Sequence, residues 1–235
     1  MNHTDPSAGH LPTALRARRG AVVAAAGLSG LLVLVSMVVD PVPTAEGRDL
    51  IEGYAGDLTR SGLHTNLIHY GFALIAPVVY AMVALVRSRG AWLANVAGLL
   101  AVVGLSTLPG LVLLDFTTVA AALSADLDAA VAVEQQMNEL GWFVVIVLPA
   151  FLSAMLALPV ALAAMWRGGL VPGYLPVLAV ATTLAMQFVP VWWIGFGANA
   201  VTMLVVARAL ATIPAEAWYG APRDTRPSPV AAVVG

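Results

Sequence analysis

The sequence predicts an all-α membrane protein, a polytopic bundle of about six transmembrane helices with both termini in the cytoplasm. Three observations lead to this fold class. Hydrophobic residues make up 60% of the 235 residues and charged residues only 10%, whereas soluble domains carry about 25% charged residues. The apolar residues form long runs without charge, and arginine and tryptophan are placed unevenly around these runs. Together they indicate that lipid is the main solvent of the chain.

Charge-free runs define the expected helices. A helix needs about 20 apolar residues to cross a hydrocarbon core of about 30 Å. Four runs hold one helix each, namely residues 20–39, 61–86, 90–114 and 140–166. A fifth run, residues 168–207, fits two helices joined by a tight turn at Pro190, which cannot continue a helix. Kinks are expected at the prolines that lie inside spans, which are Pro77, Pro149 and Pro159.

Arginine and tryptophan set the expected orientation. All eleven basic residues are arginine, and only Arg48 and Arg60 fall in the segments that six helices place outside. Short arginine-rich loops stay on the cytoplasmic side during insertion, and tryptophan prefers the headgroup level, where helix ends lie. Arginine in place of lysine, in a chain rich in alanine and valine, is typical of a GC-rich bacterial genome. We therefore expect a multi-pass protein of a bacterial cytoplasmic membrane.

The six-helix count divides the chain into three parts. Residues 1–19 form a cytoplasmic N-terminal segment, residues 20–211 the transmembrane domain, and residues 212–235 a proline-rich tail that we expect to be disordered. Two acidic outer loops lie at about residues 40–62 and 115–139.

Both outer loops have helical patterns. The first contains an apolar face that predicts a short helix on the membrane surface. This face consists of Leu50, Ile51, Tyr54, Ala55 and Leu58. The second loop is rich in alanine, and we expect it to extend the third and fourth helices beyond the bilayer.

The fourth helix carries a seam of small residues. Ala154, Ala157, Ala161 and Ala164 recur at spacings of three and four, so they share one face. Lipid tails are as apolar as leucine, so membrane helices associate through close packing at small residues. The seam predicts that this helix is a packing centre of the bundle.

Polar residues of the spans and their ends define a candidate pocket in the outer half of the bundle. Its members are His69, Tyr70, Asp115, Glu139, Gln187 and Asn199. His69 and Tyr70 share one face of the second helix, and polar faces are expected to turn into a bundle. His64 lies nearly opposite and is expected at the membrane interface. A carboxylate beside His69 would favour the protonated ring, whereas an amide partner would make the histidine structural.

The composition excludes several classes of chemistry. The chain has no cysteine, so disulfides, thiol redox chemistry and iron–sulfur clusters are excluded. It contains neither a P-loop nor a Gly-x-Ser-x-Gly motif, and only His69 is expected to face inward, so two histidines cannot hold a haem. We expect no cofactor, no metal and no nucleic-acid partner. The expected partners are the lipid bilayer and a protein partner or small apolar ligand.

Three functions agree with these patterns. The main prediction is a non-catalytic partner subunit or sensor. The first alternative is a transporter or binding protein for a small molecule or lipid, with an outward-facing polar cavity. The second alternative is an intramembrane enzyme that uses His69 with Glu139 or Asp115.

The order of these features resembles that of small actinobacterial six-helix membrane proteins of unknown function. The shared features are an arginine-led first span, a long acidic outer loop, a hairpin carrying Arg87-Ser-Arg89-Gly90, a second outer loop and a closely spaced last pair of helices. The resemblance covers about residues 16–213 and is one of architecture. It implies no activity and no site residues.

The predicted orientation can be tested with compartment-sensitive reporters. A reporter fused after Ile213 should report the cytoplasm, and one inserted within residues 120–128 should report the opposite side, because the arginine-rich segments stay inside. The activity of a periplasm-dependent enzyme at each position is the measurement. Reports of the same side from both positions would contradict the six-helix count.

Overall fold

The computed structural model describes residues 13–124 and 126–219, and every regular element in this part of the chain is helical. In chain order the helices are α1 (Thr13–Val39), α2 (Gly47–Gly56), α3 (Leu58–Ala73), α4 (Ile75–Leu85), α5 (Ala91–Leu100), a π-helical turn (Ala101–Leu105), α6 (Leu108–Val112), α7 (Leu114–Ser124), α8 (Leu127–Glu139), α9 (Gly141–Arg167), α10 (Tyr174–Phe188), α11 (Trp192–Thr212) and α12 (Ala215–Tyr219). The all-α prediction is confirmed for the described residues.

Five helical segments are long and apolar enough to cross a membrane. They are α1, the pair α3 and α4, the segment from α5 to α6, most of α9, and α11. The sixth expected span, α10, is apolar but has only 15 residues. It forms the expected hairpin with α11, since the chain between the two helices is residues 189–191 and contains Pro190. A hydrogen bond of 2.7 Å between the hydroxyls of Thr182 and Thr202 joins the two helices.

The three helices α2, α7 and α8 pack together beyond one end of the long helices, and we call them the helical cap. We call this end of the bundle the cap end, and the opposite end, where α12 packs on α1, the tail end. The expected short helix in the first acidic loop is confirmed as α2, but its Ile51 and Tyr54 are buried by protein. The second loop forms the helices α7 and α8. The expectation that it extends the fourth span is wrong, because the backbone leaves the helical conformation at Leu140, between α8 and α9.

Small residues allow the closest helix contacts. A Cβ atom added at Gly30 of α1 would lie 2.7 Å from Cβ of Met203 in α11. One added at Gly71 of α3 would lie 3.1 Å from the backbone nitrogen of Val33 in α1. Both distances are shorter than ordinary contacts, so no larger residue fits there without movement of the helices. α1 is therefore held between α3 and α11 through glycine.

The alanine seam of α9 lies where the sequence predicts it. Ala157, Ala161 and Ala164 are buried, and α9 packs against α4, α5, the π-helical turn and α10. The contact is closest at Gly104 in the π-helical turn, where an added Cβ would collide with the backbone nitrogen of Ala154. The prediction of a packing seam on this helix is confirmed.

Proline interrupts one span and is accommodated in another. The second span breaks at Leu74, between α3 and α4, three residues before Pro77. Pro77 has no N–H for the carbonyl of Ala73, which explains the break. α9 is helical from end to end through Pro149 and Pro159.

The prediction of a disordered tail from residue 212 is wrong for the residues that the structure describes. Ala215–Tyr219 forms α12, and Ala217 and Trp218 pack against the hydrophobic core. Pro214 precedes this helix, a position where the missing N–H of proline has no cost. Burial of the Trp218 ring stabilises a turn of helix that composition alone does not predict. The remaining tail, residues 220–235, lies outside the described residues, as do residues 1–12.

Overpacking the seam of α9 should destabilise the bundle. Ala157 is 0% exposed, so Ala157→Leu must displace a neighbouring helix, and we expect the free energy of unfolding to fall by about 1–3 kcal/mol. The measurement is unfolding of the purified chain in mixed detergent micelles. Val145→Leu is the control, because Val145 on the same helix is 59% exposed. Equal stability of the two variants would contradict the seam.

Candidate functional site

A buried carboxylate and a buried imidazole meet at the cap end of α1. Asp40 is the first residue after α1, and its amide hydrogen-bonds the carbonyl of Ser36 at 3.0 Å. Nδ1 of His64 in α3 lies 2.9 Å from the same carbonyl and 3.6 Å from Oδ2 of Asp40. Both side chains are 6% exposed. We call this arrangement the Asp40–His64 pair.

The contact with a carbonyl decides which ring nitrogen carries a proton. A carbonyl oxygen only accepts hydrogen bonds, so Nδ1 of His64 is the donor to Ser36. Oδ1 of Asp40 is engaged as well, since it accepts a hydrogen bond of 3.0 Å from the amide of Val42. The pair thus holds one carboxylate close to one N–H in a buried place.

Arg60 and Ser61 extend the network around the pair. The Arg60 guanidinium donates to the carbonyl of Val39 at 3.0 Å and to that of Asp40 at 3.1 Å. These carbonyls end α1 and lack partners within the helix, so the arginine caps its C-terminus and opposes its dipole. The Ser61 hydroxyl lies 3.0 Å from the carbonyl of Tyr54 and 2.8 Å from that of Asp57.

Tyr54 brings the helical cap to the same place. It is buried on α2, and its ring centroid lies 5.9 Å from that of His64. Because Ser61 also bonds the Tyr54 carbonyl, α2 is fastened to the start of α3 directly over the pair. The pair therefore lies at the junction of the bundle and the cap.

The described side chains of the predicted polar pocket do not take part in this junction. Nδ1 of His69 lies 2.7 Å from the carbonyl of Pro109, so the ring donates to backbone. Tyr70 is 59% exposed and contacts the His69 ring edge-on, with the centroids 5.1 Å apart. Glu139 and Gln187 are exposed and Asn199 is half-buried.

Within the described part of the chain, no hydrogen bond or ion pair joins His69 to the three polar residues Glu139, Gln187 and Asn199. Asp115 lies in α7, and its side chain is outside the described residues. The pocket as a whole stays a prediction.

His64, which the sequence places opposite the polar face of this helix, is buried by protein, and its position at the membrane interface stays a prediction. The face of α3 that packs on α1 carries the small residues Ser61, Thr65 and Gly71, and His64 shares it. Tyr70, on the polar face expected to turn inward, is exposed. The signal in the sequence was this run of small residues at helical spacing, because close helix contact needs small side chains.

The helical cap is acidic, and an exposed ion pair joins two of its helices. The Arg48 guanidinium of α2 pairs with Asp128 of α8. The hydrogen bond from Arg48 to Asp128 and the charge of that carboxylate raise the pKa of Arg48. The two arginines of the cap region are thus both engaged, Arg48 with Asp128 and Arg60 with the end of α1. Its remaining carboxylates have no basic partner among the described residues, and they are Glu46, Asp49, Glu52, Asp57, Asp126, Glu134 and Glu139.

Removal of the Asp40 carboxylate should destabilise the cap end. Asp40→Ala leaves the Val42 amide without its acceptor and the His64 ring without its carboxylate, and we expect a loss of about 1–3 kcal/mol in the free energy of unfolding. Glu52→Ala is the control, because Glu52 is exposed on α2, and it should change stability by less than about 0.5 kcal/mol. Unfolding in mixed micelles measures both variants. An Asp40→Ala variant as stable as the control would show that the pair contributes nothing.

The Asp40–His64 pair is held by hydrogen bonds to backbone atoms. In the described ranges, no group of three or more histidine and acidic side chains is placed to hold a metal ion. Hydrogen bonds of His64 and Ser61 and the ring contact of Tyr54 with His64 join α1, α2 and α3 here, which is the pattern of a structural junction. Comparison of the chain with protein-family models, curated proteins and solved structures finds no match.

Proposed function

We propose that this chain is a non-catalytic multi-pass membrane protein, a partner subunit or sensor whose helical cap contacts another protein. Six spans with both termini in the cytoplasm are part of the proposal, as is a bacterial cytoplasmic membrane. The arginines at the tail end support this orientation. α10 would be the shortest span, with 15 residues and a length of roughly 22 Å. Local thinning of the bilayer can accommodate such a helix.

The acidic surface of the cap is the observation that carries this proposal. Both arginines of the cap region are engaged within the chain, whereas most of the carboxylates face solvent. Such a surface attracts a basic partner and repels acidic ones. The cap also exposes apolar side chains between the acids, including Leu123 and Val133, each more than half exposed. We infer that the occupant is a protein segment with basic and apolar residues.

The use of the buried polar groups supports a non-catalytic role. His64, Asp40 and Arg60 each make a hydrogen bond with the backbone at the end of α1. His69 does the same at Pro109. Each of these four side chains thus places at least one polar atom on the backbone, as a structural residue does.

The cap-end half of α9 favours a second candidate, the binding of a lipid or small apolar ligand. Three successive residues, Val144, Val145 and Ile146, are exposed, so neighbouring helices cover only a narrow side of the helix there. Further along, Leu162 and Met165 are fully buried, so the same helix is enclosed towards the tail end. The cap-end half of α9 thus offers an exposed apolar surface to a lipid or small apolar ligand.

Site-specific photocrosslinking in cells tests the proposed contact. A photoreactive amino acid at Val133 of the cap should give an adduct of discrete mass with a protein whose crosslinked peptide is rich in lysine and arginine. Reversal of the neighbouring charge by Glu134→Lys should reduce the yield about tenfold, since like charges at an interface cost several kcal/mol. Glu216→Lys on α12 is the matched control and should leave the yield unchanged.

The same experiment separates the two candidates. Leu184 of α10 is the control for Val145, because both residues are more than half exposed. A lipid or small-molecule adduct that is stronger at Val145 than at Leu184 would favour the second candidate. Equal adducts at these two positions would mean ordinary contact with the bilayer. No discrete protein adduct at Val133, or one that ignores the Glu134→Lys reversal, would overturn the proposed contact of the cap.

A further inference from the structure

A small cavity lies at the tail end of the bundle, where α12 folds back onto α1. Its volume is about 80 Å³, and its walls include Leu15 and Arg18 of α1, Leu85 and Arg87 at the end of α4, and Trp218 of α12. A water molecule in the liquid occupies about 30 Å³, so the cavity is larger than one water needs. It opens at the end of the bundle where the arginines are concentrated.

Three hydrogen-bond donors at this cavity have no partner in the described part of the chain. Nε1 of Trp218 is buried and makes no hydrogen bond there, although a buried indole N–H usually has an acceptor. The guanidinium groups of Arg18 and Arg87 are exposed and form neither a hydrogen bond nor an ion pair with described residues. The neighbouring Arg16 and Arg19, by contrast, do have hydrogen-bond partners. Arg16 donates to the Thr13 hydroxyl and Arg19 to the Ala211 carbonyl. The cavity therefore combines positive charge with an unsatisfied donor.

We propose that this cavity binds a phosphate group, held by the guanidinium groups of Arg18 and Arg87 and by the indole N–H of Trp218. A phosphate offers several acceptor oxygens and a negative charge, which match two charged donors and one neutral donor. Guanidinium binds phosphate through two parallel N–H donors, and the resulting charge-assisted hydrogen bonds are about twice as strong as neutral ones.

The phosphate can come from two sources. The apolar side chains of Leu15 and Leu85 line the same cavity as the arginines, an arrangement that suits the headgroup of an anionic phospholipid. A small soluble phosphate compound would offer the same oxygens to the three donors. The inference does not rest on the function proposed above, because the helical cap lies at the opposite end of the bundle.

Lipid retention by the purified full chain tests the site. Dioctanoyl phosphatidic acid is added to the protein in maltoside detergent, and bound lipid is counted by native mass spectrometry, with dioctanoylglycerol as the probe without phosphate. Wild type should retain only the phosphate-bearing lipid. The double variant Arg18→Gln/Arg87→Gln should lose at least about tenfold in affinity, and Trp218→Phe, which keeps an aromatic ring, about threefold. Arg208→Gln, an exposed arginine of α11 outside the cavity, should match wild type.

Competition by inorganic phosphate identifies the source. If excess inorganic phosphate displaces the lipid, the site accepts soluble phosphate; if it does not, the lipid headgroup is the ligand. The proposal is overturned if neither probe binds, if both arginine changes leave retention unaltered, or if Arg208→Gln weakens it equally. Melting temperatures without lipid report whether each variant folds. Should the double variant fail to fold, Trp218→Phe alone decides, and unchanged retention in that variant overturns the site.

Discussion

Close contact between helix backbones at small residues is the constraint on which this structure depends. In lipid, burial of leucine against leucine gains little, so helices associate where their backbones can approach most closely. Gly30, Gly71 and Gly104 each lie at such a place, and an added Cβ atom would collide with the neighbouring helix at all three. These contacts hold α1 between α3 and α11, and α9 against the π-helical turn. The positions of the buried polar groups follow from them.

The contact of α1 with α3 explains the Asp40–His64 pair. Once Gly71 lies against Val33, the start of α3 lies beside the end of α1, where helical carbonyls lack partners within the helix. His64 and Arg60 then reach the carbonyls of Ser36, Val39 and Asp40. The polar network therefore depends on the free carbonyls at the C-terminus of α1 as much as on the side chains that bind them. It also fixes α2, so the geometry of the cap is coupled to that of the bundle through backbone carbonyls.

The two ends of the molecule differ in what they offer to other molecules. The arginines of the cap region bind groups of the chain itself, so the cap surface presents carboxylates with apolar side chains between them. The tail end has the reverse pattern, with guanidinium groups and an indole N–H that lack acceptors among the described residues. The concentration of arginine at one end is what the positive-inside rule leads us to expect of a membrane protein. Each end favours a different class of ligand.

The sequence by itself determined the helical class, the places of the apolar helices and the alanine seam of α9. These features depend on local periodicity and on runs without charge, which neighbouring residues along the chain decide. Other features depend on partners that are distant in sequence. Polarity alone pointed to His69 and Tyr70 as the inward face of α3, whereas close packing on α1 buried His64. Likewise, Trp218 makes α12 part of the core only because α1 begins and α4 ends beside it. Tertiary structure decided these points because a helix face is chosen by what packs against it.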